Sequence, residues 1–157
     1  MENSKKINWL NVLYAIVAIA FVGLIGRWLT DTNSAWYTSL IKPREFLPAA
    51  VFPIVWGLIY ACFAVLIYLL LEKDQLNGWT YGLLIANGAG QLIWSLVYFR
   101  MNSLLLGIIV IVFLLTLAIT LLFNLAKKNK IYLYLMIIYP IWLVIATILN
   151  TALWTLN

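Results

Sequence analysis

The side chains that could carry chemistry in this sequence are tryptophan and tyrosine rings, accompanied by a few carboxamides at helical spacing. Trp56 and Tyr60 lie one turn apart in one apolar stretch, and Asn87, Gln91 and Trp94 follow at helical spacing in the next. In a helix, such spacings place each group on one face. Flat apolar walls with a few convergent polar groups are the usual composition of a small-molecule site. We therefore expect a pocket for a flat, hydrophobic molecule.

A third face of the same kind lies near the C-terminus, where Trp142, Ala146 and Asn150 recur at helical spacing. These residues would complete the pocket. Buried tryptophans such as Trp142 also serve as plain core residues, and carboxamides such as Asn87 tie membrane helices together, with about 0.6–2 kcal/mol each. Spacing alone leaves both interpretations open.

Conventional catalytic groups are missing from the sequence. It contains no histidine, its single cysteine (Cys62) lies in an apolar stretch, and its five acidic residues lie outside the apolar stretches. A nucleophile with a base, a metal site and a proton relay therefore all lack their usual residues. We expect no metal and no resident cofactor. An enzymatic role would rest on tryptophans, with Trp56 and Trp142 as the candidates.

The composition places these residues in a membrane. Of the 157 residues, 66% are hydrophobic and 10% are charged, and the mean hydropathy is +1.02. A soluble domain of this size could not bury so much apolar surface. The net charge of +5 comes from residues at the ends of apolar stretches, which is the pattern that orients membrane helices. Nucleic acid is therefore not an expected partner.

Five apolar stretches of about 20 residues predict one all-α transmembrane domain over residues 1–157, because about 20 residues cross the hydrocarbon core. Pro140 should kink the fifth helix. With five spans, six lysines lie on the side of the membrane that holds the N-terminus, and four basic residues lie on the opposite side. This excess favours an N-terminus inside the cell. The predicted spans are residues 9–29, 49–71, 79–99, 104–125 and 131–154.

The stretch between the first two spans predicts a long, lid-like loop. It contains Lys42, Pro43, Arg44 and Pro48, and such residues do not lie in lipid. A loop of this length, rich in aromatic residues, is typical of a functional segment. We expect it to cover the pocket.

Small residues form a stripe along the third span. Gly78, Gly82, Ala86 and Gly90 recur every four residues, and this pattern allows membrane helices to approach closely. It predicts a symmetric homodimer with the third helices at its interface. The alternative is that the stripe packs against another helix of the same chain.

Several short motifs occur together along the chain: Trp36-Tyr37, Lys42-Pro43, Pro48, Trp56 with Tyr60, Gln91 with Trp94 and Phe99, and Trp142, Ala146-Thr147, Leu149-Asn150, Trp154 and Asn157. Together they resemble the TspO/MBR family, the translocator proteins once called peripheral benzodiazepine receptors, and the resemblance implies a bacterial member. Four features depart from the family pattern: Glu45 stands where an aromatic residue usually follows the Lys-Pro pair, Gln91 replaces a common asparagine, Ser95 to Val97 lack the usual proline, and Thr151 and Thr155 stand where a cholesterol-recognition motif has Tyr and Arg. That motif is weak evidence even when intact, so its absence argues modestly against sterol binding.

The resemblance implies a membrane receptor or transporter, often dimeric, that binds porphyrins and benzodiazepine-type ligands beneath the first loop. It also implies a role in tetrapyrrole handling or stress response. A light- and oxygen-dependent porphyrin-degrading enzyme is the alternative, and a helical scaffold with a vestigial pocket is the third interpretation. Because histidine is absent, metal-free porphyrin should be preferred to haem. The expected ligand-binding residues are Trp36, Tyr37, Pro48, Trp56, Tyr60, Asn87, Gln91, Trp94, Trp142, Ala146 and Asn150.

Overall fold

The computed structural model describes residues 7–43 and 47–157. This part of the chain contains five helical spans that are long and apolar enough to cross a membrane, as the sequence predicts. Their bounds differ from the predicted ones by two residues at most. Lys5, Lys6 and Arg44, which entered the charge comparison, lie outside the described residues. The spans are Trp9–Leu29, Val51–Glu72, Gly78–Arg100, Leu104–Ala126 and Lys130–Leu156.

Most of the helices begin after a polar residue whose side chain caps them. Asn77 accepts a hydrogen bond from the backbone N of Thr80 at 2.9 Å, and Ser103 accepts one from Leu106 at 3.3 Å. Such side chains satisfy N–H groups that the first helical turn leaves unpaired. The helices are α1 (Trp9–Leu29), α2 (Ala35–Ser39), α3 (Val51–Glu72), α4 (Gly78–Ser95), α5 (Leu104–Ala126), α6 (Lys130–Met136) and α7 (Ile138–Leu156).

The third span ends in a π-helical turn, Leu96–Arg100, which continues α4. The wider turn rotates the chain so that the consecutive residues Tyr98 and Phe99 are both buried, at 3% and 7% exposure. Asn102 follows with a φ of 52°, a left-handed conformation that asparagine tolerates. The chain can therefore turn directly into α5.

The fifth span is interrupted, as Pro140 predicts. Helix α6 ends at Met136 and α7 begins at Ile138, so the break lies within one turn before the proline. Proline lacks the N–H that would bond to the carbonyl four residues earlier, and its ring crowds that carbonyl. The break leaves Tyr139 and Trp142 buried at the start of α7.

Helix α5 contacts α4, α6 and α7, whereas α1 packs on α3 and α4. Glycines mark the closest approaches. A Cβ at Gly90 would lie 2.7 Å from Leu114 Cδ2, and one at Gly107 would lie 2.9 Å from Tyr98 Cδ2. Gly90, expected in a dimer interface, therefore packs within its own chain, where α4 and α5 approach each other.

The segment between α1 and α3 is hydrogen-bonded to Asn157, the residue that follows α7. Ile41 N donates to Asn157 Oδ1 at 2.9 Å, and Asn157 Nδ2 donates to Ile41 O at 3.1 Å. Just before this segment, at the end of α1, the carbonyl oxygen of Trp28 accepts a hydrogen bond from Arg100 Nη2. Within its described residues this segment is partly helical, since it contains α2.

Candidate ligand-binding site

Aromatic side chains from α3 and α7 meet in the middle of the bundle. Phe52 and Trp142 form an edge-to-face pair with centroids 5.7 Å apart, and Phe63 and Tyr139 form another at 5.2 Å. Trp56 is tilted against Tyr60 at 5.6 Å. Both helices present an aromatic face at helical spacing, so their crossing brings the rings together.

These rings belong to one cluster of packed apolar side chains. Tyr139 and Trp142 are buried in it, and Trp56, Trp94 and Ala146 pack against it. Trp142 is only 4% exposed. We call this set of five residues the aromatic cluster. Each of its members except Tyr139 was an expected ligand-binding residue. In this structure the cluster is closely packed.

Buried carboxamides lie on α4 and α7, and one of them, Gln91, contacts the aromatic cluster. Gln91 Nε2 donates to the Tyr139 hydroxyl at 3.2 Å, and Asn87 Nδ2 donates to the carbonyl oxygen of Leu83 at 2.8 Å. Asn87, Gln91 and Asn150 are all buried. Because each of these amides is held among apolar helices, its remaining polar atoms depend on partners inside the protein.

Five buried polar side-chain atoms, counted over residues 7–43 and 47–157, have no hydrogen-bond partner. All five belong to expected ligand-binding residues. A buried polar atom without a partner costs about 1–3 kcal/mol, and native proteins keep few of them. These atoms therefore remain available to pair with a polar group that the described part of the chain does not supply. The atoms are Asn87 Oδ1, Gln91 Oε1, Trp94 Nε1, Trp142 Nε1 and Asn150 Nδ2.

The expected residues from the first loop lie at a second aromatic group, near the end of α4. Trp36 contacts Tyr98 edge-on at 5.7 Å, and Tyr37 contacts Phe99 at 5.5 Å. Trp94 links this group to the aromatic cluster, because its ring stacks on Tyr98 at 5.1 Å. Trp36 and Tyr37 are therefore connected to the aromatic cluster through the rings of Tyr98 and Phe99.

Two further features describe the first loop. Burial raises the pKa of Tyr37 above its ordinary value of 10.0, so its hydroxyl is neutral at physiological pH. Lys42 Nζ lies 4.6 Å from the centroid of the Tyr37 ring, a cation–π contact. Pro48, also expected at the site, is exposed just before α3.

The expected dimer residues divide into two groups. Gly90 is buried against Leu114, whereas Cβ atoms at Gly78 and Gly82 would meet nothing within 4 Å. Ala86 is half-buried and lines a shallow apolar groove between α4 and α5. The N-terminal part of the stripe therefore remains open at the surface of the chain.

Sequence reasoning missed Phe52, and it named Asn157 as a motif residue without its contact to Ile41. Phe52 lies one turn before Trp56, so the aromatic face of α3 could have been extended backwards to find it. The pairing of Asn157 with Ile41 spans 116 positions, and no local pattern indicates such a contact. The π-helical turn also lacks a local signal.

The fold and the site define an integral membrane protein with five spanning helices around a buried aromatic cluster. The chain belongs to the TspO/MBR family, whose model matches residues 15–155. It is similar to the Tryptophan-rich protein TspO of Archaeoglobus fulgidus, with 27% identity over 155 residues, covering 96% of this chain and 99% of that protein. It is also similar to the Tryptophan-rich protein TspO of Chlorobaculum tepidum, with 29% identity over 145 residues, covering 87% and 89%.

Proposed function

We propose that this protein is a receptor or transporter for porphyrins, such as protoporphyrin, and for benzodiazepine-type ligands, with a role in tetrapyrrole handling or stress response. The observation that carries the proposal is the set of five unpaired polar atoms, all of which belong to expected ligand-binding residues. Family membership supports the same assignment. A ligand that pairs these atoms would regain hydrogen bonds that the free protein lacks.

The unpaired atoms suit a flat ligand with both kinds of hydrogen-bonding group. Trp94 Nε1, Trp142 Nε1 and Asn150 Nδ2 are donors, and Asn87 Oδ1 and Gln91 Oε1 are acceptors. A metal-free porphyrin carries ring N–H donors, ring nitrogen acceptors and carboxyl groups. The aromatic walls supply the stacking surface that its macrocycle requires.

Entry of such a ligand requires the cluster to open. Trp142 is nearly enclosed and packs on Phe52 at the start of α3. The segment that precedes α3 is held at Ile41 by the two hydrogen bonds of Asn157. We assign this segment the role of a lid, which moves with the start of α3 when a ligand enters.

The test is a titration of the purified protein in lipid nanodiscs with protoporphyrin, followed by absorption and tryptophan fluorescence. Trp142→Phe keeps an aromatic ring but removes the indole N–H, so affinity should fall about fivefold, the loss of one hydrogen bond of about 1 kcal/mol. Trp79→Phe is the matched control, because Trp79 is 63% exposed and outside the cluster. Equal affinity of both variants and the parent would contradict a ligand contact at Trp142.

A light- and oxygen-dependent degradation of bound porphyrin is the second candidate. It is favoured by a continuous series of ring contacts, in which Trp94 stacks on Tyr98 at 5.1 Å and Tyr98 meets Trp36 at 5.7 Å. Contacting aromatic rings could pass an oxidising equivalent from an excited porphyrin, with oxygen as the electron acceptor. A discrete product formed only with protein, light and air supports this activity. Porphyrin that stays spectrally intact supports binding alone.

Assembly and orientation complete the proposal. Gly78, Gly82 and Ala86 would let the α4 helices of two copies approach closely in a homodimer. Gly90 is the fourth residue of the predicted interface, and Leu114 of its own chain already packs against it. We place the protein in a bacterial cell membrane with the N-terminus inside, on the charge count of the whole sequence. A cysteine added at the N-terminus and labelled with a membrane-impermeant reagent tests the orientation.

A further inference from the structure

Four lysines lie together at the end of the bundle where α3 and α5 finish. Lys73 follows α3 directly, Lys127 and Lys128 follow α5, and Lys130 begins α6. The connection between α3 and α4 meets the connection between α5 and α6, because Lys128 Nζ donates to the carbonyl oxygen of Gln75 at 2.9 Å. We call the four lysines the basic surface.

The carboxylates at this end do not pair with the basic surface. Glu72 and Asp74 are the acidic residues that the structure describes there, and neither lies within 4.0 Å of a lysine ammonium. Glu72 instead accepts a hydrogen bond from Asn11 Nδ2 of α1 at 2.9 Å. The basic surface therefore carries more positive than negative charge among the described residues, and it is open to an external anion.

Two of the lysines are held at one point. Lys128 Nζ donates to Gln75, and Lys73 Nζ lies 5.8 Å from the centroid of the Tyr132 ring, a cation–π contact. The Tyr132 hydroxyl in turn donates to Gln75 Oε1 at 2.7 Å, and Tyr132 is fully buried. Both ammonium groups therefore lie against the same hydrogen-bonded pair, whose tyrosine is fixed by packing.

The hydrogen-bonding capacity of these two ammonium groups is mostly unused. An ammonium has three N–H donors. Lys128 uses one of them on Gln75, and Lys73 Nζ donates none to the described residues. Lys128 is half-buried, and a partly buried charge without a counter-ion is costly. An anionic group with two acceptor oxygens, such as a phosphodiester, would pair with both lysines at once.

The surroundings of the basic surface indicate that the anion is part of a lipid. Trp79 and Tyr134 are 63% and 71% exposed, and Ile131 is exposed beside them in sequence to Lys130. Exposed tryptophan and tyrosine rings at the ends of membrane helices lie at the level of the lipid headgroups. Tyr134 lies one turn beyond Lys130, on the same face of α6. An amphiphile with a negative head and apolar chains matches both the charge and the exposed apolar residues.

We propose that Lys73 and Lys128 form a binding site for the phosphate of an anionic phospholipid, such as phosphatidylglycerol. The phosphate lies between the two ammonium groups, and an acyl chain lies along the exposed face of α6. A zwitterionic lipid fits less well, because its amine adds a positive charge beside the lysines. The site lies at the opposite end of α3 from the first loop and does not depend on porphyrin binding.

The test is photolabelling of the protein in phosphatidylcholine nanodiscs that contain a trace of a probe lipid. The probe is phosphatidylglycerol or phosphatidylcholine with a diazirine near the start of one acyl chain, and labelled peptides are identified by mass spectrometry. The phosphatidylglycerol probe should label the start of α6 more strongly, by about fivefold for each of the two lysines. Equal labelling by both probes would overturn the proposal.

Neighbouring lysines separate a built site from general attraction to positive charge. Lys128→Gln should reduce phosphatidylglycerol labelling of α6 about fivefold. Lys127→Gln removes the same charge from a residue whose ammonium has no ion pair in the described part of the chain, and it should reduce labelling by less than about twofold, because water and salt screen an unanchored charge. Equal losses in the two variants would show general attraction and overturn the site.

Two measurements verify these variants. Lys128→Arg keeps the charge and should retain the labelling, whereas a loss as large as in Lys128→Gln would contradict an electrostatic role. Protoporphyrin affinity and circular dichroism should be unchanged in Lys128→Gln, which shows that the fold and the porphyrin site are intact.

Inorganic phosphate tests a soluble source of the anion. Excess phosphate, compared with chloride at the same ionic strength, should leave the labelling of α6 unchanged, because the acyl chains keep the lipid at the protein surface. A loss of labelling with phosphate but not with chloride would show that the lysines take a soluble anion and would overturn the assignment to lipid.

Discussion

The hydrogen bond between Gln91 and Tyr139 offers a sharp test of the unpaired atoms at the aromatic cluster. Gln91 Nε2 donates to the Tyr139 hydroxyl at 3.2 Å, while Gln91 Oε1 has no partner. Tyr139 is 1% exposed. Removing the tyrosine hydroxyl alone leaves the whole amide unpaired, and removing both polar groups leaves none.

The expected magnitudes follow from that arrangement. Tyr139→Phe should lower the free energy of unfolding by about 1–3 kcal/mol, the cost of a buried amide that has lost its partner. Adding Gln91→Met should recover this loss, because methionine is flexible and apolar and fills the same space. The double variant should exceed the parental stability by up to about 1–3 kcal/mol, since the unpaired Oε1 is also gone.

A second tyrosine–glutamine pair supplies the control. The Tyr132 hydroxyl donates to Gln75 Oε1 at 2.7 Å, but Gln75 lies in the α3–α4 connection and is only half-buried. After Tyr132→Phe, Gln75 can turn toward water. This variant should therefore cost less than Tyr139→Phe, at about 0.5–1.5 kcal/mol.

Reversible unfolding with sodium dodecyl sulfate in mixed micelles, followed by circular dichroism, gives the free energies. A double-mutant cycle then gives the coupling between Gln91 and Tyr139. Protoporphyrin titration of the same variants separates stability from function: Gln91→Met should bind about fivefold more weakly, even where the protein is more stable. Equal costs for Tyr139→Phe and Tyr132→Phe, or a double variant less stable than Tyr139→Phe, would refute a buried, unpaired amide at Gln91.

Four further outcomes are expected. Asn157→Leu removes both hydrogen bonds to Ile41, so stopped-flow fluorescence should show faster protoporphyrin association and dissociation; unchanged rates would contradict a lid anchored there. Gly90→Ala should cost about 1–3 kcal/mol in unfolding experiments, because its Cβ would press on Leu114, whereas Gly82→Leu should weaken the dimer in cross-linking without loss of stability; a Gly82→Leu variant that remains fully dimeric would exclude that interface. Ferric haem should bind no more tightly than metal-free protoporphyrin in absorption titrations, because the sequence lacks histidine; a spectrum of axial ligation with much tighter binding would contradict this.

Much of the architecture could be predicted from local sequence. The five spans follow from the length of apolar stretches, because each membrane helix satisfies its own backbone and needs only enough apolar residues to cross the lipid. The break before Pro140 follows from the missing N–H of proline. The residue types expected at a small-molecule site were also readable, since helical spacing places Trp142 and Ala146 on one face.

The tertiary structure decided which neighbours those faces meet. The stripe of small residues on α4 is continuous in sequence, yet only the crossing with α5 determines that Gly90 is buried on Leu114 while Gly82 remains open. The pairing of Asn157 with Ile41 has no local signal, because it joins segments at opposite ends of the chain.

Which carboxamide atoms remain unpaired is also decided by the tertiary structure. A sequence shows that Gln91 is polar and lies on the face of Trp94, but pairing depends on every atom that surrounds the amide. The fold gives its nitrogen to Tyr139 and leaves its oxygen without a partner. A cavity lined in part by Gln91 likewise exists only because of the way α1, α3 and α4 pack against one another. Local sequence determines what each helix can present, and the packing of helices determines which of those groups remain available to a ligand.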